Sequence, residues 1–281
     1  PDFFYDSSLS NTLWSSLNSN GNISPPELIL WCVRWYGTTA MSYANLSDRL
    51  SDRGVFVNRS TIYRWFIHYG PILHKKLRRY QFTRIDTSWQ LDETYVKVKG
   101  KWHYLYRAIN KRGETLDFFF SRKRNKEAAY QFLKRCLRRY KTSFHPQILN
   151  TDKHSSYGNA IARLKREGRL RQDVEHRQVK YLYNGIESDH APIKKLIEAT
   201  GGFKVRKRAW STIQGFEGIR MLNKGQFDFW LRRDEPKLRV QERSVFLNEL
   251  FNIFGISSRN EVLRWAPQTH LPFLKQAHFM H

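Results

Sequence analysis

The sequence predicts a mixed α/β protein with a helical N-terminal section and a central five-stranded sheet. Apolar residues recur at helical spacing through residues 25–70, and from Trp89 onwards they alternate with a period of two. The 281 residues, 40% of them hydrophobic, suffice for a core in more than one domain. The 49 Lys and Arg residues outnumber the 25 Asp and Glu residues to give a net charge of +24. Such an excess indicates a polyanionic partner, most often a nucleic acid.

Composition also bears on other classes of protein. A merely basic protein, for example a ribosomal one, would show the same charge, so charge alone does not decide the function. The longest apolar run, residues 28–33, is too short to span a membrane. Residues 1–24 are rich in Ser and Asn, make a poor secretory signal and are expected to form a loose extension. Cys32 and Cys136 form no paired motif, which excludes a cysteine zinc module and a disulfide framework and fits a reducing cytoplasm.

Three short helices are predicted in residues 25–71, in the order typical of a helix-turn-helix DNA-binding domain. Capping residues begin the second and third helices, and a glycine ends each of the three. The caps are Ser42 and either Asn58 or Ser60, and the stops are Gly37, Gly54 and Gly70, the last followed by Pro71.

The third of these helices has an apolar face and a polar face. The apolar face consists of Ile62, Trp65, Phe66 and Tyr69. The polar face, where base edges or phosphates could be contacted, consists of Ser60, Tyr63 and Arg64, with Arg59 at its edge. An ordinary three-helix domain with a solvated polar face would look the same, and the basic chain favours DNA. Residues 72–86 are basic and are expected to form a linker.

The alternating part of the chain predicts an antiparallel meander of three strands, followed by helix, strand, helix, strand and helix. This order is that of the ribonuclease-H-like fold, with a mixed five-stranded sheet flanked by helices, and we assign it to residues 87–202. Residues 203–240 are predicted to form a basic helical segment. Residues 241–281 contain no recognisable motif and are treated as a tail.

Two adjacent acids begin the alternating part of the first strand. Counting by twos places Asp92 with Val96 and Val98, and places Glu93 with a run of lysines. Water and the lysines can satisfy Glu93, so we expect it to be solvated. Asp92 on a buried face needs a cationic partner, either an arginine or a metal ion.

Two further acids are predicted to meet Asp92. Asp152 ends the fourth strand, which neighbours the first strand in this fold, and Glu187 opens the last helix across the same edge. Taken singly, the three acids fit ordinary roles as a satisfied core acid, a helix cap and a helix-start charge. Together, three ionised carboxylates repel each other unless cations lie between them. Two magnesium ions roughly 4 Å apart, or manganese in their place, would relieve the repulsion and activate a water or a 3′-hydroxyl for attack on a phosphodiester.

Other polar residues are close to the three acids in the sequence or in the predicted fold. Lys194 lies seven residues after Glu187, two turns along the same helical face, where it could hold a DNA phosphate. Asp117 precedes an aromatic strand end, and Asp189 points about 200° away from Glu187, so we set both aside. No pair of histidines has metal-ligand spacing, which makes zinc improbable.

The chain resembles a known family along residues 24–228. Eight stretches carry the resemblance, in order: ILWCVRWY, RGVFVNRSTIYRW, WQLDETYVKVKGKWHYLYRAI, SRKRNKEAAYQFL, NTDKHSSYG, LKREG, VEHRQVKYLYNGIESDH and GFKVRKRAWSTIQGFEGIRMLNKGQ. They resemble the transposases of the IS-six family of insertion sequences. The 34 residues between Asp152 and Glu187 also match the spacing of DDE transposases and retroviral-type integrases.

The resemblance implies an N-terminal helix-turn-helix domain that recognises the terminal inverted repeats of the element. It implies a catalytic domain that uses Asp92, Asp152 and Glu187, with Lys194 as a downstream basic partner, and a replicative reaction that fuses donor and target DNA into a cointegrate. The expected partners are the terminal repeats, target DNA and at least one further copy of the chain, because two ends must be handled together. The expected location is the cytoplasm, in association with the nucleoid.

Two other functions stay open from the sequence. A catalytically inactive or decayed copy would act only as a DNA-binding protein and would tolerate loss of the three acids, all of which are present. A stand-alone nuclease of the same fold would cut DNA without joining it. Pro192, five residues after Glu187, either begins the regular helix or kinks the turn that carries Glu187, since proline inside a helix costs about 3 kcal/mol.

Overall fold

The structure is a computed structural model that describes residues 25–81, 86–152, 155–178, 184–227 and 238–251. The chain divides into two compact units, one of residues 33–229 and the other of residues 1–32 and 230–281. No helix in these described ranges is long and apolar enough to cross a membrane.

Eight α-helices are described, numbered α1 to α8 in chain order. They are Pro25–Thr38, Tyr43–Ser51, Arg59–Arg78, Lys126–Arg139, Ser155–Arg166, Asn184–Ala199, Arg206–Asn223 and Leu238–Leu250. Two predicted caps are confirmed, because the Ser42 side chain accepts a hydrogen bond from the Asn45 N–H and the Asn58 side chain accepts one from the Ser60 N–H.

Five strands form one mixed sheet, in the order β3-β2-β1-β4-β5. They are Ser88–Val98, Lys101–Asn110, Thr115–Ser121, Ile148–Thr151 and Glu175–Gln178, numbered β1 to β5 in chain order. The first three pair antiparallel, while β4 pairs parallel with both β1 and β5. The predicted ribonuclease-H-like sheet, with the first and fourth strands as neighbours at its centre, is confirmed.

The sheet is covered on both faces. On one face α4 and α5 bury an apolar cluster that includes Leu91, Ala108 and Leu149. On the other face, α6 and α7 pack against β1 to β3, for example where Trp210 stacks on Phe120. Successive side chains of β1 point to opposite faces of the sheet, and helices cover both faces. Asp92 and Glu93 therefore each point towards a covered face.

The third helix is longer than the sequence predicts. It continues to Arg78 through Gly70 and Pro71, the two residues predicted to end it. Gly70 is a packing position, because a Cβ there would lie 3.1 Å from the Cα of Gly215 on α7. Tertiary contact along α3 and α7 thus overrides the local stop signals. Residues 72–78, predicted to belong to a linker, form the last turns of this helix.

The close crossing of α3 and α7 leads to a stability prediction. The change Gly215→Ala should lower the free energy of unfolding by about 1–3 kcal/mol, because its methyl group would lie 2.8 Å from the Phe66 ring. Gly158→Ala on α5 is the matched control, since among the described residues a Cβ there would contact only His176, at 3.9 Å. This substitution should raise the free energy of unfolding by about 0.5–1 kcal/mol. Urea denaturation measures both, and equal stabilisation of the two variants would contradict the close packing.

The other compact unit is described over residues 25–32 and α8. The Asn248 side-chain amide donates a hydrogen bond of 3.2 Å to a Glu27 carboxylate oxygen. Buried apolar residues of this unit include Leu28, Ile29, Phe246 and Leu247. α8 thus lies mostly in the segment predicted as a tail, whereas the expected N-terminal extension, residues 1–24, lies outside the described residues.

Candidate active site

The parallel pairing of β1 and β4 places the two predicted aspartates side by side. Gln90 is the last residue of β1 that pairs with β4, and its partner is Asn150. Asp92 and Asp152 each lie two residues beyond that pair, at the carboxyl end of β4. Their charges interact, because Asp152 contributes to the raised pKa of Asp92.

Asp92 is held in surroundings that disfavour its charged form. Burial raises the pKa of Asp92 to about 7, and the nearby carboxylates of Glu93 and Asp152 act in the same direction. The backbone N–H of Glu93 and the guanidinium of Arg124 oppose the shift without cancelling it. The site therefore favours an additional cation beside Asp92.

A histidine lies beside Asp92 but does not neutralise it. His190 Nδ1 is 3.6 Å from an Asp92 carboxylate oxygen. Burial and the charge of Arg107 lower the pKa of His190 to about 3, so the imidazole is neutral at physiological pH. The predicted need for a cationic partner at Asp92 is thus not met by this histidine.

Glu93 is not solvated, and the prediction that water and lysines satisfy it is wrong. It is 6% exposed, and the Tyr157 hydroxyl donates a hydrogen bond of 3.0 Å to its carboxylate. Its second partner is the Arg124 guanidinium, which forms an ion pair with it. Because α4 and α5 cover this face of the sheet, the second acid of the pair is more buried than the first.

Arg124 joins Glu93 to the active-site edge. Its Nη2 donates a hydrogen bond of 2.9 Å to Asp152 Oδ2, and its Nη1 donates one of 3.1 Å to the Tyr95 hydroxyl oxygen. One guanidinium thus neutralises carboxylates from β1 and from the end of β4. Arg124 was not among the predicted site residues, although it belongs to a basic run, residues 122–124, that precedes α4.

Glu187 lies in the first turn of α6, which begins at Asn184 and runs through Pro192. The alternative in which the regular helix begins near Pro192 is therefore wrong. The Glu187 side chain is exposed, and so is Lys194 seven residues further along. Seven residues are nearly two turns, so the two side chains leave the helix on the same side.

The three predicted acids do not form a complete metal cage. Among the described residues, no group of three His, Cys, Asp or Glu side chains is placed to hold a metal ion. The structure brings Asp92 and Asp152 together and leaves Glu187 exposed on α6. The donor chemistry nevertheless fits a hard divalent cation, because carboxylate oxygens are its preferred ligands and burial together with two neighbouring carboxylates disfavours an uncompensated charge on Asp92.

Asp189 has a structural role, consistent with its exclusion from the predicted site. Its carboxylate contacts Arg107 at 2.5 Å, Arg220 at 2.7 Å and Lys224 at 2.5 Å. These cations hold the pKa of Asp189 well below its usual range. Because Asp189 follows Glu187 by two residues on α6, this network fixes the helix that carries the third acid.

The predicted DNA-contact residues lie along one side of α3. Arg59, Ser60 and Arg64 are exposed, and Arg64 Nε donates a hydrogen bond of 3.3 Å to the Ser60 carbonyl. Tyr63 is half-buried, with its ring edge-on to Tyr43. The polar side of this helix therefore faces solvent, while its apolar side is buried.

Comparison with known proteins connects this geometry to a family. A family model described as a DDE domain matches residues 86–226, about half of the chain. A Staphylococcus aureus protein, the transposase for insertion sequence element IS257 in transposon Tn4003, is 38% identical over 198 residues, which cover 70% of this chain and 85% of the relative. The chain belongs to the IS-six family of insertion-sequence transposases. As a DDE transposase it is an enzyme that cleaves and transfers DNA strands.

Two further proteins are similar to this transposase. The uncharacterized protein pYV0051 of Yersinia pseudotuberculosis serotype I (strain IP32953) is 66% identical over 93 residues, 33% of this chain and 87% of that protein. The catalytic core domain of HTLV-2 integrase, solved in complex with magnesium in a dimeric form, is 14% identical, with a TM-score of 0.29 over 47% of the transposase and 99% of that chain.

Proposed function

We propose that the transposase cleaves its element's ends and joins them to target DNA at a site formed by Asp92, Asp152 and Glu187. The observation that carries this proposal is the position of Asp92, within β1, and of Asp152, just after β4, each two residues beyond the last paired residues of these parallel strands; burial and neighbouring carboxylates raise the pKa of Asp92 there. A site that disfavours the bare carboxylate is suited to a divalent cation.

Asp92 and Asp152 would hold magnesium, with Glu187 as the third ligand, and manganese could take the same place. Bound there as a pair of ions, magnesium supplies activation of a water or 3′-hydroxyl and stabilises the leaving oxygen. Arg124 neutralises Asp152 in the absence of the metal, and Lys194 would pair with a DNA phosphate from the exposed side of α6.

The N-terminal helices are proposed to recognise the terminal inverted repeats. We propose that residues 25–71 form a helix-turn-helix DNA-binding domain and residues 87–202 the catalytic domain. Exposed Arg59, Ser60 and Arg64 on α3 support this assignment, as does the net charge of +24.

Replacing Arg64 with Ala tests this assignment. An arginine that reads a base edge contributes about 1–3 kcal/mol, so affinity for a duplex carrying the terminal repeat should fall about tenfold to a hundredfold. Arg171→Ala, at an exposed arginine paired with Asp173, is the matched control. Fluorescence anisotropy measures both; unchanged binding by Arg64→Ala would refute a base contact by this residue.

The same family assignment supports a replicative reaction with cointegrate formation by a homodimer or higher homo-oligomer, associated with the nucleoid. The test of the function is strand transfer. A labelled duplex carrying the element end should become joined to a target plasmid when purified protein and magnesium are present. Cut but unjoined products would instead indicate a stand-alone nuclease, and binding without cutting would indicate a DNA-binding protein that has lost its chemistry.

A further inference from the structure

The hairpin of β1 and β2 exposes aromatic rings on one of its faces. Trp102 is 55% exposed and Tyr95 is 49% exposed. The Tyr95 ring centroid lies 5.9 Å from that of Trp102 and 5.3 Å from that of Tyr104. We call Tyr95, Trp102 and Tyr104 the aromatic strip. Exposed rings of this size are unfavourable in water, which singles out the strip as a contact surface.

Cations accompany the aromatic strip. Lys97 Nζ lies 5.7 Å above the Trp102 ring, and the Arg124 guanidinium carbon lies 5.9 Å from the Tyr95 ring. Residues 94–104 contain three lysines, all exposed, and no Asp or Glu. Rings interleaved with lysines present both a stacking surface and a positive potential, the combination used for single-stranded nucleic acid.

The aromatic strip is continuous with the carboxylate site. Arg124 hydrogen-bonds both to the Tyr95 hydroxyl oxygen and to Asp152. A chain of contacts therefore runs from Trp102 through Tyr95 and Arg124 to one of the proposed metal ligands. A strand lying on the strip would have its next phosphates beside that site.

The aromatic strip is suited to unpaired DNA rather than to a duplex. In a duplex the base faces are already stacked on each other, and only base edges and the backbone are accessible. The faces of unpaired bases are available for stacking on aromatic side chains. We propose that the aromatic strip binds an unpaired DNA strand, stacking its bases on Trp102 and Tyr95 and leading its backbone to the carboxylate site. The destination of the strand rests on the proposed function, whereas the stacking does not.

The test measures binding of a fluorescein-labelled oligothymidylate of about 12 nucleotides, and of a duplex of the same length, to the full chain in EDTA. Trp102→Ala should weaken oligothymidylate binding about tenfold, the loss of one stacked base, and should leave duplex binding unchanged. Trp102→Phe keeps an aromatic face and should restore most of the affinity. Phe144→Ala, which removes a ring that is 37% exposed near the opposite end of β4, is the matched control.

The outcomes separate this proposal from the proposed function. No metal and no inverted repeat are present in the assay, so neither cleavage nor end recognition contributes. Equal affinities of Trp102→Ala and Phe144→Ala for oligothymidylate would overturn the proposal, and so would an equal loss of duplex binding by Trp102→Ala. If Trp102→Ala lowered only the unfolding midpoint, the rings would serve the hairpin alone, and the proposal would again be overturned.

Discussion

Replacing Asp152 with Asn is expected to abolish DNA cleavage and strand transfer while leaving binding to the element's ends intact. The variant keeps the size of the side chain but removes a charged oxygen beside Asp92, at the carboxyl end of β4. Loss of a carboxylate ligand should cost several kcal/mol of transition-state stabilisation, so the cleavage rate should fall about a thousandfold or more. The DNA contacts proposed on α3 do not involve Asp152.

Cleavage of a labelled element end and anisotropy on the same duplex measure the two properties separately. Asp173→Asn is the control, because that aspartate is exposed and pairs only with Arg171 among the described contacts. A melting temperature for each variant excludes unfolding as the cause, since Asp152→Asn also loses its ion pair with Arg124. Equal loss of cleavage and binding would contradict the catalytic role of Asp152.

Replacing Arg107 with Met is expected to give the largest loss of stability. The Arg107 side chain is fully buried, with Nε 2.7 Å from a Glu217 oxygen and Nη2 2.5 Å from an Asp189 oxygen. Removing one partner of a buried ion pair leaves an uncompensated charge, here on fully buried Glu217, and costs about 3–5 kcal/mol. Because Asp189 lies on α6, the orientation of Glu187 should suffer as well.

Urea denaturation of Arg107→Met and of Arg177→Met measures this effect. Arg177 pairs with Glu175 on the surface, where solvent screens the pair, so its replacement should leave the free energy of unfolding nearly unchanged. The double variant Arg107→Met with Glu217→Met should recover part of the loss, because it removes the stranded carboxylate together with its partner. A loss no larger for Arg107→Met than for Arg177→Met would show that the buried network does not hold α6.

The strand order and the pair of aspartates could be predicted because both follow from local patterns. Period-two alternation marks β1 to β3, and the short apolar run before Asp152 marks β4. The order of the elements indicates the ribonuclease-H-like fold, in which the first and fourth strands are neighbours, and that places Asp92 beside Asp152. The position of these two residues required no information on side-chain contacts.

Glu93 and Arg124 could not be placed from the sequence, because their contacts are distant along the chain. Alternation along β1 groups Glu93 with lysines, but only the covering helices show that this part of the face is buried. Its partners come from the loop before α4 and from Tyr157 on α5. A buried ion pair of this kind is a tertiary feature, which periodicity does not report.

The length of α3 could not be predicted from the sequence, for a different reason. Gly70 and Pro71 are local stop signals, and they predict a helix that ends there. Gly70 packs against Gly215, which is 145 residues away in sequence, and this contact stabilises the continued helix. Gly70 is therefore required by a close helix crossing rather than by a turn. A single sequence does not distinguish these two roles of glycine.

The most direct test of the catalytic account is to map nicks on a plasmid that carries this gene with its native flanks. Purified protein would be incubated with the plasmid in magnesium and, in parallel, in EDTA. The account predicts magnesium-dependent nicks at the ends of a flanking inverted repeat, absent in EDTA and absent with the Asp152→Asn variant. Nicks that persist in EDTA or with that variant, or binding to the ends with no nicks in magnesium, would contradict it.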